Sequence, residues 1–183
     1  MNRKTGNIKT WNPYESDDEE SRKWEQKLLR LIMVPRTRKE LAGKLREAGC
    51  PEEEAEDLLE RFSELGLIDD RAYAVLYADS KSDCGVRRLR DELRFRGVSG
   101  NDIEDALEEA QVDEVARART LILRWAPLSG MTLQKLKSRL DRKGFSGASV
   151  RDALDELRYE EEDARVERLF EEDRRKRNEY DVW

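Results

Sequence analysis

One motif occurs three times in the chain, and this repetition constrains the fold more than any other feature. Each copy has two leucines four residues apart, a glycine four residues later, and then an apolar residue. The copies are Leu41, Leu45, Gly49 and Cys50; Leu89, Leu93, Gly97 and Val98; and Leu136, Leu140, Gly144 and Phe145. Because successive copies are 48 and 47 residues apart, we predict a tandem array of one small unit.

Each copy of the motif predicts a helix followed by a second helix. Leucines four apart lie on one helical face, and a glycine after the last turn adopts the left-handed conformation while the next apolar residue packs back on the helix. Thr37 and Glu40 form a capping box, whereas Ser99 and Ser146 are N-cap candidates for the second helix and Pro51 fits its first turn. A further amphipathic helix precedes each pair, with apolar residues around Trp24, Tyr73 and Ala118.

These patterns predict an all-α protein, an elongated array of three tandem three-helix repeats with charged N- and C-terminal extensions. The predicted segments are a disordered acidic and polar extension at 1–22, repeats at 23–68, 69–111 and 112–157, and a charged helical extension at 158–183. Since each repeat is too small to bury a large core alone, neighbouring repeats should pack end to end. Asp69 or Asp70 should cap the first helix of the second repeat.

Composition argues against catalysis and for binding. The chain is 37% hydrophobic and 43% charged and contains no histidine, which removes the commonest general base and metal ligand. It also has no phosphate-binding glycine loop or nucleophile elbow, and we expect no cofactor. We expect no membrane span and no secretory signal. The two cysteines, with Cys50 in a core position, fit a reducing cytoplasm.

The net charge of −6 conceals a basic centre. Residues 81–151 carry fifteen basic and eleven acidic side chains, whereas residues 152–183 carry seven basic and thirteen acidic ones. The basic residues concentrate on the middle helix of each repeat, and the candidate binding residues of the second and third repeats are Arg87, Arg88, Arg90, Arg94, Arg96, Lys135, Lys137, Arg139, Arg142 and Lys143. They would contact DNA phosphates or an acidic groove. Alternatively, basic and acidic helices offset each other on solvated faces.

The residues around the junctions resemble a known family. The string Leu65-Gly66-Leu67-Ile68-Asp69-Asp70-Arg71-Ala72-Tyr73-Ala74 is followed by Gly85, Leu89, Leu93, Arg96, Gly97 and Val98, and the third repeat adds residues 140–146. Over residues 24–157 this order resembles the RecX family of RecA regulators. The resemblance implies a modular protein that binds the RecA filament on single-stranded DNA and inhibits ATP hydrolysis, strand exchange and co-protease activity. It would thereby modulate DNA repair and the SOS response.

Two other functions stay open at this stage. The chain could be a helical adaptor that binds a protein unrelated to recombinase, or a non-specific single-stranded DNA-binding protein. The second lacks stacking aromatics among its basic residues, and the base-reading residues of a helix-turn-helix operator binder are also missing. The resemblance to RecX implies that the partners are the RecA filament and, mainly through it, single-stranded DNA. We expect the protein itself to be a monomer.

Overall fold

The structure is a computed structural model that describes residues 19–126 and 131–161. Within these ranges the chain forms nine helices and no strand, which confirms the all-α prediction. The helices are α1 (Glu19–Leu31), α2 (Arg38–Glu47), α3 (Glu52–Glu64), α4 (Asp70–Ser80), α5 (Val86–Phe95), α6 (Gly100–Glu109), α7 (Glu114–Trp125), α8 (Leu133–Arg142) and α9 (147–161). No helix in the described part is long and apolar enough to cross a membrane.

The motif of two leucines and a glycine takes the predicted conformation in all three copies. Its leucines and the apolar residue after each glycine are buried. Gly49, Gly97 and Gly144 have φ values of 87°, 93° and 87°, the left-handed region that ends a helix without a Cβ penalty. Each middle helix, α2, α5 and α8, therefore stops at a fixed point. The next helix then returns to cover its leucine face.

Predicted caps are also found where the sequence places them. Thr37 and Glu40 form the capping box of α2, and Ser99 accepts a hydrogen bond from the backbone of Asp102 at the start of α6. The hydroxyl of Ser146 accepts one from Ser149 N–H at 3.0 Å. Such side chains satisfy N–H groups that a helix start leaves unpaired.

The domain boundaries stay predictions, but two helices extend beyond them. α1 begins at Glu19, so the last four residues of the segment predicted to be disordered are helical. The Ser21 hydroxyl donates to Glu54 Oε1 of α3 at 2.7 Å, which anchors this first turn. α9 continues to residue 161, past the boundary at 157. The rest of both predicted extensions, residues 1–18 and 162–183, lies outside the described residues.

Contacts divide the chain into two units. The first contains the described residues up to Tyr73 together with Arg96–Val98, and the second contains Ala74–Phe95 and the described residues from Ser99 onward. In the first unit, Trp24 of α1 packs with the leucines of α2 and with Leu59 and Phe62 of α3. In the second unit, a core formed by α7, α8 and α9 includes Trp125 and Phe145.

In the first unit, the start of α2 is closed by two groups distant in sequence. The Arg38 N–H donates to Asp70 Oδ1 at 2.7 Å, and the Thr37 hydroxyl donates to the Arg96 carbonyl at 2.7 Å. Asp69, by contrast, caps α4 itself by accepting from Ala72 N–H at 2.8 Å. The two adjacent aspartates thus have different roles. The first caps its own helix and the second caps α2.

The second unit repeats this arrangement at the start of α5. Asp113 caps α7, while the next residue, Glu114, accepts from Val86 N–H at 2.8 Å and from the Ser149 hydroxyl at 2.6 Å. The Gly85 N–H donates to the Lys143 carbonyl at 3.0 Å. A single carboxylate therefore joins the starts of α5 and α9 to the start of α7.

The backbone at Gly85 lies so close to the backbone at Gly144 that Gly85 has no room for a side chain. We call this contact, together with the hydrogen bonds of Glu114, the joint. A Cβ on Gly85 would lie 2.3 Å from the Gly144 carbonyl carbon, a backbone atom that cannot rotate away. By contrast, a Cβ on Gly43, in the interior of α2, would meet nothing within 4 Å.

Gly85→Ala should therefore lower the free energy of unfolding by about 3 kcal/mol, because the overpacked joint must open. Gly43→Ala is the matched control and should raise the free energy of unfolding by about 0.5–1 kcal/mol, because alanine is the better helix former. Thermal and urea denaturation followed by circular dichroism measure both. Equal effects of the two substitutions would contradict the close contact.

The Glu114 carboxylate should make stability pH-dependent. Burial acts to raise its pKa, but hydrogen bonds from Ser149, Val86 and Ser146 outweigh burial and hold the pKa below the usual value. A lowered folded-state pKa contributes stability above the unfolded-state pKa, and the contribution is lost as the pH falls through the folded-state pKa. Glu114→Gln should cost about 1–2 kcal/mol at pH 7.

The same comparison at lower pH checks the assignment. The gap between the wild-type and Glu114→Gln unfolding free energies should be constant from neutral pH to about pH 5, and should shrink below about pH 4.3, the usual glutamate pKa. Urea titrations across this range give the gap at each pH. A gap that stays unchanged into the acid range would show that charge is not what Glu114 contributes.

Candidate polyanion interface

Nine of the ten predicted binding residues lie on or at the end of a middle helix in the second unit, and the tenth, Arg96, belongs to the first unit. Backbone hydrogen bonding holds both helices, and their buried leucines fix which side chains point outward. Described carboxylates pair with the four α5 arginines, with Arg96 and with Lys143, whereas none of them pairs with Lys137, Arg139 or Arg142.

The arginines predicted in α5 are paired within the protein. Arg90 forms two hydrogen bonds to the Glu104 carboxylate, at 2.8 and 2.6 Å, a fork geometry that holds both side chains in place. Further ion pairs join Arg87 to Asp141 at 2.9 Å, Arg88 to Glu92 at 2.7 Å and Arg94 to Asp91 at 3.6 Å. Arg96 pairs with Glu40.

Hydrogen bonds lower the pKa of two carboxylates in these pairs. The pKa of Glu104 is lowered chiefly by its hydrogen bond from Arg90, and the pKa of Glu92 is lowered first by a hydrogen bond from Tyr77 and then by Arg88. Both acids are therefore ionised at neutral pH and offset the arginine charges. For α5, much of the positive charge that the sequence displays is balanced internally.

The cations of α8 are arranged differently. Lys143 is half-buried and pairs with Asp83, but Lys135, Lys137, Arg139 and Arg142 are exposed. Among residues 21–126 and 131–161, no carboxylate forms an ion pair with Lys137, Arg139 or Arg142. The guanidinium of Arg139 lies over the Trp125 ring, 4.0 Å from its centroid. Lys137, Arg139 and Arg142 can therefore bind an external anion without first breaking an ion pair to a carboxylate of these ranges.

An apolar groove that sequence reasoning missed lies beside α8. It has a volume of about 800 Å³ and is formed by α7, α8 and α9. Leu123 and Leu133, which are 55% and 56% exposed, line it together with Leu154. Charged side chains also line the groove, and they are Lys137, Arg151, Asp155, Arg158, Glu160 and Glu161. No sequence signal marked it, because Leu123 and Leu133 fall outside the repeated leucine positions.

No candidate metal site competes with this interpretation in the described part of the chain. That part contains no group of three histidine, cysteine, aspartate or glutamate side chains that could hold a metal ion. Cys50 and Cys84 are both buried and free, and burial is the main factor that raises the pKa of each thiol. The prediction that Cys50 is a core residue is confirmed.

Two profiles of RecX three-helix domains match the chain. The profile described as the first three-helix domain matches residues 27–62, and the profile described as the second matches residues 69–107. The chain is also 41% identical over 101 residues to the regulatory protein RecX of Streptomyces lividans, covering 52% of this chain and 54% of that protein. The chain belongs to the RecX family.

Other RecX proteins agree with this assignment. The chain is 39% identical over 100 residues to regulatory protein RecX of Thermobifida fusca, covering 51% of this chain and 53% of that one. The crystal structure of RecX from Lactobacillus salivarius superposes with a TM-score of 0.68 at 27% identity, covering 76% of this chain and 97% of that chain. The chain spans about half the length of the curated RecX proteins it matches.

The reactivity of the two buried thiols tests whether the hydrophobic core stays closed in the native protein. Neither Cys50 nor Cys84 should react with a chromogenic disulfide reagent at pH 8 within minutes, since each is shielded and its pKa is raised. Both should react at once in guanidinium chloride. Fast reaction of one thiol equivalent in the native protein would show that one of these cores opens readily.

Proposed function

We propose that the protein regulates the RecA recombinase by binding the RecA filament on single-stranded DNA. It would inhibit ATP hydrolysis, strand exchange and co-protease activity there, and so modulate DNA repair and the SOS response. Membership in a family whose proteins are named as regulatory proteins supports this proposal. The protein would act by binding rather than catalysis, as a monomer in the cytoplasm and without a cofactor.

The observation that carries the proposal is the exposed cationic face of α8 beside an apolar groove. A nucleoprotein filament offers both kinds of partner surface, because DNA phosphates attract cations while protein surfaces offer apolar side chains. Lys137 takes part in both features, since it is exposed and also lines the groove. A surface for plain DNA binding would need only the cations.

The groove also favours a second candidate, a helical adaptor for a protein other than recombinase. Exposed leucines such as Leu123 and Leu133 can accept the apolar face of an amphipathic helix. This candidate does not require the cations of α8. Charge reversal on α8 therefore separates the two functions.

The test is the DNA-dependent ATPase rate of the host RecA as the protein is titrated in. The rate should fall well before the protein reaches one molecule per RecA protomer, because a bound molecule would contact several protomers. Lys137→Glu combined with Arg139→Glu should shift the inhibition curve to higher protein concentration, since both cations would become repulsive toward phosphate.

A matched charge reversal controls for net charge. Arg87→Glu with Arg94→Glu changes the charge equally on α5, where both arginines have internal partners, and should shift the curve less. Circular dichroism confirms that each variant is folded. An ATPase rate that is unchanged up to equimolar protein at low salt would contradict the recombinase proposal and leave the adaptor as the better account.

A further inference from the structure

One flank of each middle helix carries three positions at spacing i, i+4 and i+7, which we call the outer stripe. Repeat alignment makes the three stripes equivalent, and they are Glu40, Lys44 and Glu47 in α2; Arg88, Glu92 and Phe95 in α5; and Lys135, Arg139 and Arg142 in α8. Residues at this spacing lie on one side of a helix. The scaffold is therefore constant while the chemistry of the stripe differs in every repeat.

The stripes of α2 and α5 contain their own counter-charges. Lys44 pairs with Glu47 at 2.9 Å in α2, and Arg88 pairs with Glu92 at 2.7 Å in α5. The last position of the α5 stripe is Phe95, which is 81% exposed. Neither stripe presents a run of positive charge. Counterion release on binding a polyanion would therefore be small for both.

The stripe of α8 is positive at every position. All three side chains are exposed, and within the described ranges no carboxylate pairs with Arg139 or Arg142. With a rise of about 1.5 Å per residue, the stripe spans about 10 Å along the helix. That length lets it meet successive phosphates of one strand, each of which carries a negative charge.

Trp125 gives the central arginine a fixed position. Its ring is 6% exposed, so it belongs to the core of α7, α8 and α9, and the Arg139 guanidinium lies over it at 4.0 Å. Stacking on an aromatic face orders an arginine while its N–H groups remain able to donate. Less side-chain freedom is then lost when Arg139 binds phosphate.

We infer that the α8 outer stripe is a binding site for the phosphate backbone of single-stranded DNA, with Trp125 as a positioning residue. The third repeat, and not the second, supplies the direct nucleic-acid contact. This deepens the proposed function by naming which repeat meets DNA in the filament. It can be tested without recombinase, because the stripe should bind bare DNA.

The experiment measures binding of the full chain to a labelled oligothymidine by fluorescence anisotropy over a series of salt concentrations. Each phosphate contact on a single strand contributes about 0.7 to the slope of log affinity against log salt. The variant Lys135→Gln, Arg139→Gln, Arg142→Gln should therefore flatten the slope by about 2 and weaken binding about tenfold or more at low salt.

Three further variants make the result specific. Arg87→Gln, Arg88→Gln, Arg94→Gln removes the same charge from α5 and should change the slope by less than half as much. Arg139→Lys, Arg142→Lys keeps the charges and should keep the slope close to wild type, although loss of the stacked guanidinium weakens affinity. Trp125→Leu should weaken affinity at an unchanged slope, since it removes orientation and no charge.

The outcomes separate this inference from the function it rests on. Equal losses from α5 and α8 would show that only net charge matters, and no loss from the α8 variant, or no binding of bare DNA by the wild type, would overturn the inference. If RecA inhibition persists in any of these cases, the regulatory function stands without this contact. A duplex of the same length is run in parallel, and tighter binding of the duplex would also overturn the assignment to single strands.

Discussion

The structure depends on a carboxylate that caps a helix of the preceding repeat. Glu114 begins α7, yet it accepts hydrogen bonds from Val86 at the start of α5 and from Ser149 in α9. Asp70 does the same for Arg38 at the start of α2. Because a helix start leaves several N–H groups without partners, an acid supplied from the next repeat both satisfies these groups and fixes where that repeat begins.

This arrangement explains why small units with few apolar residues can form a defined structure. A cap from a distant residue couples local helix formation to packing, so neither helix start is complete until the joint has formed. Gly85 strengthens the coupling, since its N–H bonds the Lys143 carbonyl at 3.0 Å and the absence of a side chain permits the contact. Charge and backbone geometry thus replace part of the hydrophobic burial that a larger domain would use.

The sequence predicted local features well and distant partners poorly. Leucine spacing and the glycines placed the middle helices, because both signals act within a few residues. The string Asp69-Asp70 predicted a cap, but only the structure shows that Asp69 caps its own helix while Asp70 caps α2. Pairs such as Arg90 with Glu104 are also invisible in sequence, since a row of arginines looks the same whether or not another helix neutralises it.

This last point changes how the basic centre of the chain is interpreted. In sequence, α5 and α8 carry four basic residues each, but the acidic residues that follow α5 in α6 include Glu104, which holds Arg90 in a forked pair. α9 contributes Arg151 as well as Asp155, Glu160 and Glu161 to the groove beside α8, but within the described ranges no carboxylate pairs with Arg139 or Arg142 of the outer stripe. Surface charge becomes available for binding only where neighbouring helices do not neutralise it, so a repeat protein can give one copy a binding role while the other copies keep the same scaffold.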